Sequence, residues 1–324
     1  MDKIHPVITD KYTKELNQVK ESLSPGFLWI ILGPTASGKT KLAVDLAKKI
    51  KGEVISVDSR QIYRGMNIGT GKDLVEYDTI PYHLIDILEP GEKYNLSLFQ
   101  QDFEKAYTSI RNNNSEAIAV GGTGLYLHSL LVNQPYINIP KNDTIRDYLK
   151  DFSLPELIKQ AHTYKIPPDF NIDFSTHKRT IRAIEILEYL STTSRTLAKT
   201  KTYPSLVFGI NPLVEDRRNR ISDRLKKRVE EGLIDEVITL IDNGTSHQDL
   251  QYYGLEYKYA SLFLLGELDK QSFLTKLETE IHRYAKRQMT FFRKMEKDGV
   301  KINWLRSETL KEQTQEIIHI SKQG

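Results

Sequence analysis

Gly33-Pro34-Thr35-Ala36-Ser37-Gly38-Lys39-Thr40 fits the pattern G-x-x-x-x-G-K-[ST], whose residue types suit phosphate chemistry. Backbone N–H groups and a helix N-terminus would face phosphate oxygens, Lys39 would add a charge, and the Thr40 hydroxyl could reach a Mg²⁺ ion carried by the phosphates. The ligand predicted is a diphosphate or polyphosphate; a chance glycine turn is the bland alternative. Asp58 is the second chemical candidate, at the end of the apolar run EVISVDS. It could take a proton from an attacking amine or hydroxyl. It could equally cap a helix starting at Arg60-Gln61-Ile62-Tyr63, and spacing alone does not choose. Gly121-Gly122-Thr123-Gly124 is the third candidate. Such a cluster lets backbone approach a ligand and exposes the Thr123 hydroxyl, or it is simply a tight strand-to-helix turn. A hydrolysing NTPase would place a metal-holding aspartate at such a strand end, whereas Ala117–Val120 runs into glycines.

The elements that must position these residues follow from periodicity. FLWIIL, then the glycine turn, then a helix with Leu42, Leu46 and Ile50 on one side, then EVISVDS, make a βαβ unit. A helix from Leu96 to Arg111 leads to AIAVGG, and SLVFGIN and VKINWL add strand-like runs further on. The fold class predicted is α/β, a P-loop-type doubly wound parallel sheet over residues 27–132 and 203–324, with ligands beyond the carboxyl ends of the strands. Residues 133–202 change texture to short amphipathic helices broken by prolines and read as a helical insertion. Residues 1–26 read as a polar helical extension ending at Pro25-Gly26.

Long helices are predicted from Leu213 to Asp242 and from Lys270 to Lys297. On the first, Arg217, Arg220, Arg224 and Lys227 make a basic face opposite Ile221, Leu225 and Val229; on the second, Arg283, Lys286, Arg287 and Arg293 flank Met289 and Phe292. Such faces clamp phosphates or are solvated and paired with neighbouring acids. With 46 basic and 43 acidic residues the net charge is +3, which permits an RNA partner without implying one. The chain has no cysteine, so disulfides and thiolate-bound zinc are excluded and a reducing cytoplasm is compatible. Its eight histidines show no ligand spacing, and His83 is expected to be structural. No N-terminal run is apolar enough for a secretory signal or membrane span.

Taken in order, GPTASGKT, VDSRQIYRGMNIGTGK, YHLID, VGGTGLYL and RYAKRQMTFFR resemble the tRNA dimethylallyltransferase family over most of residues 27–306. The resemblance implies Mg²⁺-assisted transfer of a dimethylallyl group from dimethylallyl diphosphate to N6 of the adenine beside the anticodon. Residues Gly33 to Thr40 would then cradle the donor diphosphate, with Thr40 serving the metal. Asp58 matches the general base, Thr35 the catalytic donor loop, and Arg220, in NRISDRL, an arginine that stabilises the leaving diphosphate. Asp58, Ser59, Arg60 and Gln61 match positions around the adenine; Thr123, Arg146, Lys178 and Arg179 match tRNA-contacting positions, so the insertion would grip the anticodon stem-loop.

The chain departs from the family where isoleucine-glycine-tyrosine-lysine-glutamate is usual and Leu255-Glu256-Tyr257-Lys258-Tyr259 stands, and at Asp173-Phe174-Ser175-Thr176. The zinc-finger tail of eukaryotic members is absent, which favours a bacterial-type enzyme, expected to be a cytoplasmic monomer. The competing readings are an adenylate dimethylallyltransferase acting on AMP, ADP or ATP, a small-molecule kinase with ATP in the loop, and a non-catalytic RNA-binding module.

Overall fold

A computed structural model of the chain describes residues 27–323 apart from 169, 171–172, 194–196 and 198. The predicted extension over 1–26 lies outside the described residues. The first strand, β1 (Leu28–Leu32), is buried along its whole length, as a central strand of a parallel sheet must be. The helix α1 (Lys39–Ile50) follows the phosphate loop and buries Leu42, Leu46 and Ile50; β2 (Gly52–Val57) then returns to the sheet. A two-residue strand, β3 (Tyr82–His83), lies in YHLID, too short to give a periodic signal. The helix α2 (Leu96–Asn112), capped by the Asn95 side chain, leads into β4 (Glu116–Gly121) and α3 (Gly124–Leu131).

After the insertion come β5 (Ser205–Gly209), α7 (Val214–Glu230), α8 (Leu233–Asp242), the short α9 (His247–Leu250), α10 (Leu255–Leu264), α11 (Lys270–Lys297), β6 (Ile302–Trp304) and α12 (Leu310–Ser321). The six strands pair in the order β3-β2-β4-β1-β5-β6, and every pairing is parallel. Thus β4 inserts between β1 and β2, and the three strand ends that carry the candidate residues are neighbours. One face of the sheet packs on α1 and α12, joined by a bond from Thr314 Oγ1 to Asp45 (2.6 Å). The other packs on α2, α3 and the helices from α7 to α11.

The single helix expected from Leu213 to Asp242 is two. The break falls at Gly232, whose φ of 101° is a left-handed conformation that ends a right-handed helix and that a β-carbon would strain.

A second compact unit spans Asn133–Lys201. It contains α4 (Asp143–Leu149), α5 (Leu154–Ala161) and α6 (His177–Thr192), packed around Leu149, Leu157, Ile184 and Leu187. Ser153 and Glu156 form a reciprocal capping box at the start of α5. No helix of the described residues is long and apolar enough to cross a membrane.

Candidate active site

The carboxyl ends of β1, β2 and β4 open onto a cavity of about 580 Å³. The phosphate loop forms its floor. Ala36 (φ 59°) and Gly38 (φ 85°) curl the chain so that α1 starts at Lys39 with no side chain capping its N-terminus. Its first N–H groups are therefore left for an anion. The Ser37 hydroxyl is buried and has no hydrogen-bond partner among the described residues. Thr35, Lys39 and Thr40 line the cavity. Among the described residues, Lys39 Nζ reaches the Pro34 carbonyl, at 3.4 Å. Desolvation lowers its pKa to about 8; Asp58 pulls it up, and Arg224 and Arg228 push it further down.

Asp58 lies at the end of β2 and lines the same cavity. It caps no helix: residues 59–62 form turns, Tyr63 bridges to Leu88, and the Asp58 Oδ1 accepts the Arg60 N–H at 2.9 Å. The next peptide, Ser59 N–H, donates to Thr123 Oγ1 at 3.1 Å, so the β4 loop braces the β2 loop. Gln61 is held from both ends, accepting from Ser56 Oγ (2.7 Å) and donating to the Gly71 carbonyl (3.0 Å). Asp58, Ser59, Arg60, Gln61 and Thr123 are thus all brought to the cavity.

Gly122 shows why glycine is needed in this turn. A β-carbon there would meet Gln288 Nε2 at 2.3 Å. Gln288, on α11 and only 6% exposed, accepts the Thr35 N–H at 2.9 Å and donates to the Gly122 carbonyl at 2.9 Å. One amide therefore pins the phosphate loop to the glycine loop. No local pattern marks it, although it sits inside RYAKRQMTFFR between Arg287 and Arg293. Gln288→Ala strands two polar backbone groups at ~1–3 kcal/mol each, so the thermal midpoint is expected to drop by several degrees. An unchanged melting curve would contradict the pinning role.

Arg220 is exposed and does not line the cavity. It lies about 6 Å nearer the start of α7 than Arg224, at 1.5 Å per residue. Arg224 and Arg228 line the cavity instead. Arg224 pairs with Asp73, while Arg228 is buried, reaches the Gly69 carbonyl (3.4 Å) and pairs with Glu256 Oε1 (3.1 Å). The signal that could have found Arg228 is its spacing of four from Arg224 and of three from the buried Leu225, which sets it at the edge of the apolar row.

The loop beneath these arginines is fixed by two groups with no pattern in sequence. Glu236 accepts the N–H groups of Asn67 (2.7 Å), Ile68 (2.7 Å) and Gly69 (3.0 Å) and the Tyr257 hydroxyl (2.7 Å). The buried Lys72 ammonium donates to the Tyr63 carbonyl (2.7 Å), Asn67 Oδ1 (2.9 Å) and Asp86. His83 pairs with Glu53 at 2.8 Å, away from the cavity.

In the helical unit, Arg146 clasps Glu185 through Nε (2.7 Å) and an Nη (2.8 Å). Glu185 is buried, which alone would raise its pKa, but the bonds from Arg146 and the Asn142 N–H hold it below the usual glutamate range. Arg146 thus has a structural partner whatever else it binds. Lys178 and Arg179 are exposed on the first turn of α6, where Arg179 pairs with Asp173. Of the departures from the family pattern, Thr176 caps α6, accepting the Arg179 N–H at 3.4 Å, and Leu255, Glu256 and Lys258 line the cavity.

The family model described as IPP transferase matches residues 61–295, and one described as Isopentenyl transferase matches 26–77. A tRNA dimethylallyltransferase 2 of Phocaeicola vulgatus is 50% identical over 279 residues, covering 85% of this chain and 91% of the relative. Its namesake from Porphyromonas gingivalis is 48% identical, covering 85% and 92%. A crystal structure of a full-length tRNA isopentenylpyrophosphate transferase from Bacillus halodurans superposes with a TM-score of 0.68 at 32% identity, covering 92% of this chain and 97% of that one.

Proposed function

The chain belongs to the tRNA dimethylallyltransferase family, and on that premise we propose that it moves a dimethylallyl group from dimethylallyl diphosphate to N6 of the tRNA adenine beside the anticodon. The observation that carries this reading is that an uncapped phosphate loop and the Asp58 carboxylate share one cavity. Diphosphate lies on the backbone of Gly33, Pro34, Thr35, Ala36, Ser37, Gly38, Lys39 and Thr40, with Lys39, Arg224 and Arg228 opposing its charge. The N6 lone pair attacks the allylic carbon, the carbon–oxygen bond breaks, and its electron pair leaves on the diphosphate. Asp58 takes the N6 proton. Braced by Thr123 and the Arg60 N–H, the Asp58 loop needs no rearrangement of its own backbone to present the carboxylate.

No cluster of three metal-ligating side chains occurs among the described residues. A single hydroxyl, Thr40, with the rest of the shell from diphosphate and water, fits the way Mg²⁺ is held in phosphate sites. When bound, the ion would add positive charge to the leaving group. A cytoplasmic monomer is the proposed setting, to which the absence of cysteine is suited.

The test is to offer labelled dimethylallyl diphosphate with unmodified tRNA, AMP or ATP. Label is expected in tRNA; label only in AMP or ATP would make the chain an adenylate prenyltransferase, and phosphate transfer from ATP would make it a kinase. A second expectation comes from Lys39. Because its pKa in the free protein is about 8, the ammonium is lost as pH rises through that value, and kcat/KM for the donor should fall above it. A profile flat to pH 10 would contradict Lys39 as the charged partner of the diphosphate.

A further inference from the structure

Two tyrosines at the cavity lie open to solvent: Tyr252 is 53% exposed and Tyr284 36%. Each carries an arginine over its ring, Arg60 at 4.9 Å from the Tyr252 centroid and Arg287 at 6.0 Å from that of Tyr284. Tyr252 is also held from behind. Its neighbour Tyr253 is buried, meets it edge-on at 5.7 Å, packs on Tyr63 at 4.7 Å and accepts the Gly91 N–H through its hydroxyl. The chain thus uses one tyrosine of the pair as an anchor and displays the other. Arg60, two residues from Asp58 and bonded to it through the backbone, ties the display to the proposed base.

A fixed aromatic ring backed by a guanidinium, beside a cavity lined also by Lys258 and Arg287, is the chemistry that holds unstacked bases of single-stranded RNA. We propose that the Tyr252–Arg60 pair is a stacking platform for an RNA base next to the adenine that enters the cavity. The inference rests on the proposed acceptor being RNA. Extruding an adenine breaks its stacking with its neighbours, and a platform at the mouth returns part of that loss to the flanking base. It also gives the site a grip on RNA that a free adenine nucleotide lacks. The platform therefore acts on acceptor choice.

The experiment uses the full chain with an unmodified anticodon stem-loop carrying 2-aminopurine beside the target adenine. Tyr252→Ala is expected to lower kcat/KM for the stem-loop by roughly tenfold or more, the scale of one lost base–aromatic stack, with the donor KM unchanged. It should also abolish the fluorescence quench seen on binding to the parent protein. Tyr252→Phe, which keeps the ring, should restore both. An alanine variant that binds and quenches like the parent would overturn the platform, and so would a phenylalanine variant as weak as alanine, since the ring would then not be what matters. A parent protein that prenylates AMP but not the stem-loop would sink the RNA reading and this inference together. Parent activity on the stem-loop with no effect of Tyr252→Ala sinks the inference alone.

Discussion

Asp58→Ala is expected to lower prenyl transfer by about 10²–10⁴-fold while the donor still binds, because a positioned base contributes on that scale and the donor is held by other residues. Among the described residues the carboxylate accepts a local bond from the Arg60 N–H, so its removal costs little structure. Asp58→Asn keeps an acceptor for that N–H and serves as the control that isolates the proton transfer. The charge of Asp58 also raises the Lys39 pKa, so both variants leave Lys39 more easily neutralised. Donor binding is therefore compared well on the acid side of the parent value of about 8, where the lowered pKa still leaves the ammonium protonated. Titration of an unreactive donor analogue with an unchanged Kd, together with a collapsed single-turnover rate, is the expected pattern. A rate within a few-fold of the parent would remove Asp58 from the chemistry.

Lys39→Ala is expected to fail differently. The lysine sits at the first position of α1 in a cavity that already desolvates it, where its charge has few competitors for a diphosphate oxygen. Loss of one such group from a pre-organised anion site costs about 10²–10³-fold. The loss should be shared between a raised donor KM and a lowered kcat, because negative charge is present in the bound donor and grows on the leaving group. If the donor KM alone rises, Lys39 serves binding without assisting departure. Unchanged kinetics would contradict its place in the cradle.

The parts of this site legible in the sequence were those written as local pattern. Eight consecutive residues specify the phosphate loop, and short, mostly apolar runs specify β1, β2 and β4, whose ends carry Asp58 and Thr123 to a common edge. What stayed hidden was tertiary. Gln288 joins two loops from a helix far along the chain, and Glu236 collects three backbone N–H groups from a turn it does not neighbour in sequence. Neither has a spacing that announces it. The arginines of α7 illustrate a third case: helical periodicity gave a basic face, but only packing shows that Arg224 and Arg228 meet the cavity while Arg220 meets solvent. Gly232 was visible as a residue yet not as a break, because a lone glycine inside an apolar period is tolerated in many helices.

In the proposed reaction, one cavity brings an allylic carbon held by its diphosphate beside an amine facing Asp58. A structure of the chain with an unreactive dimethylallyl diphosphate analogue and an anticodon stem-loop tests it most directly. Diphosphate is expected on residues Gly33 to Thr40, with the adenine N6 within about 2.6–3.2 Å of the Asp58 carboxylate. An adenine bound with N6 turned away from Asp58, or a diphosphate seated elsewhere, would contradict it.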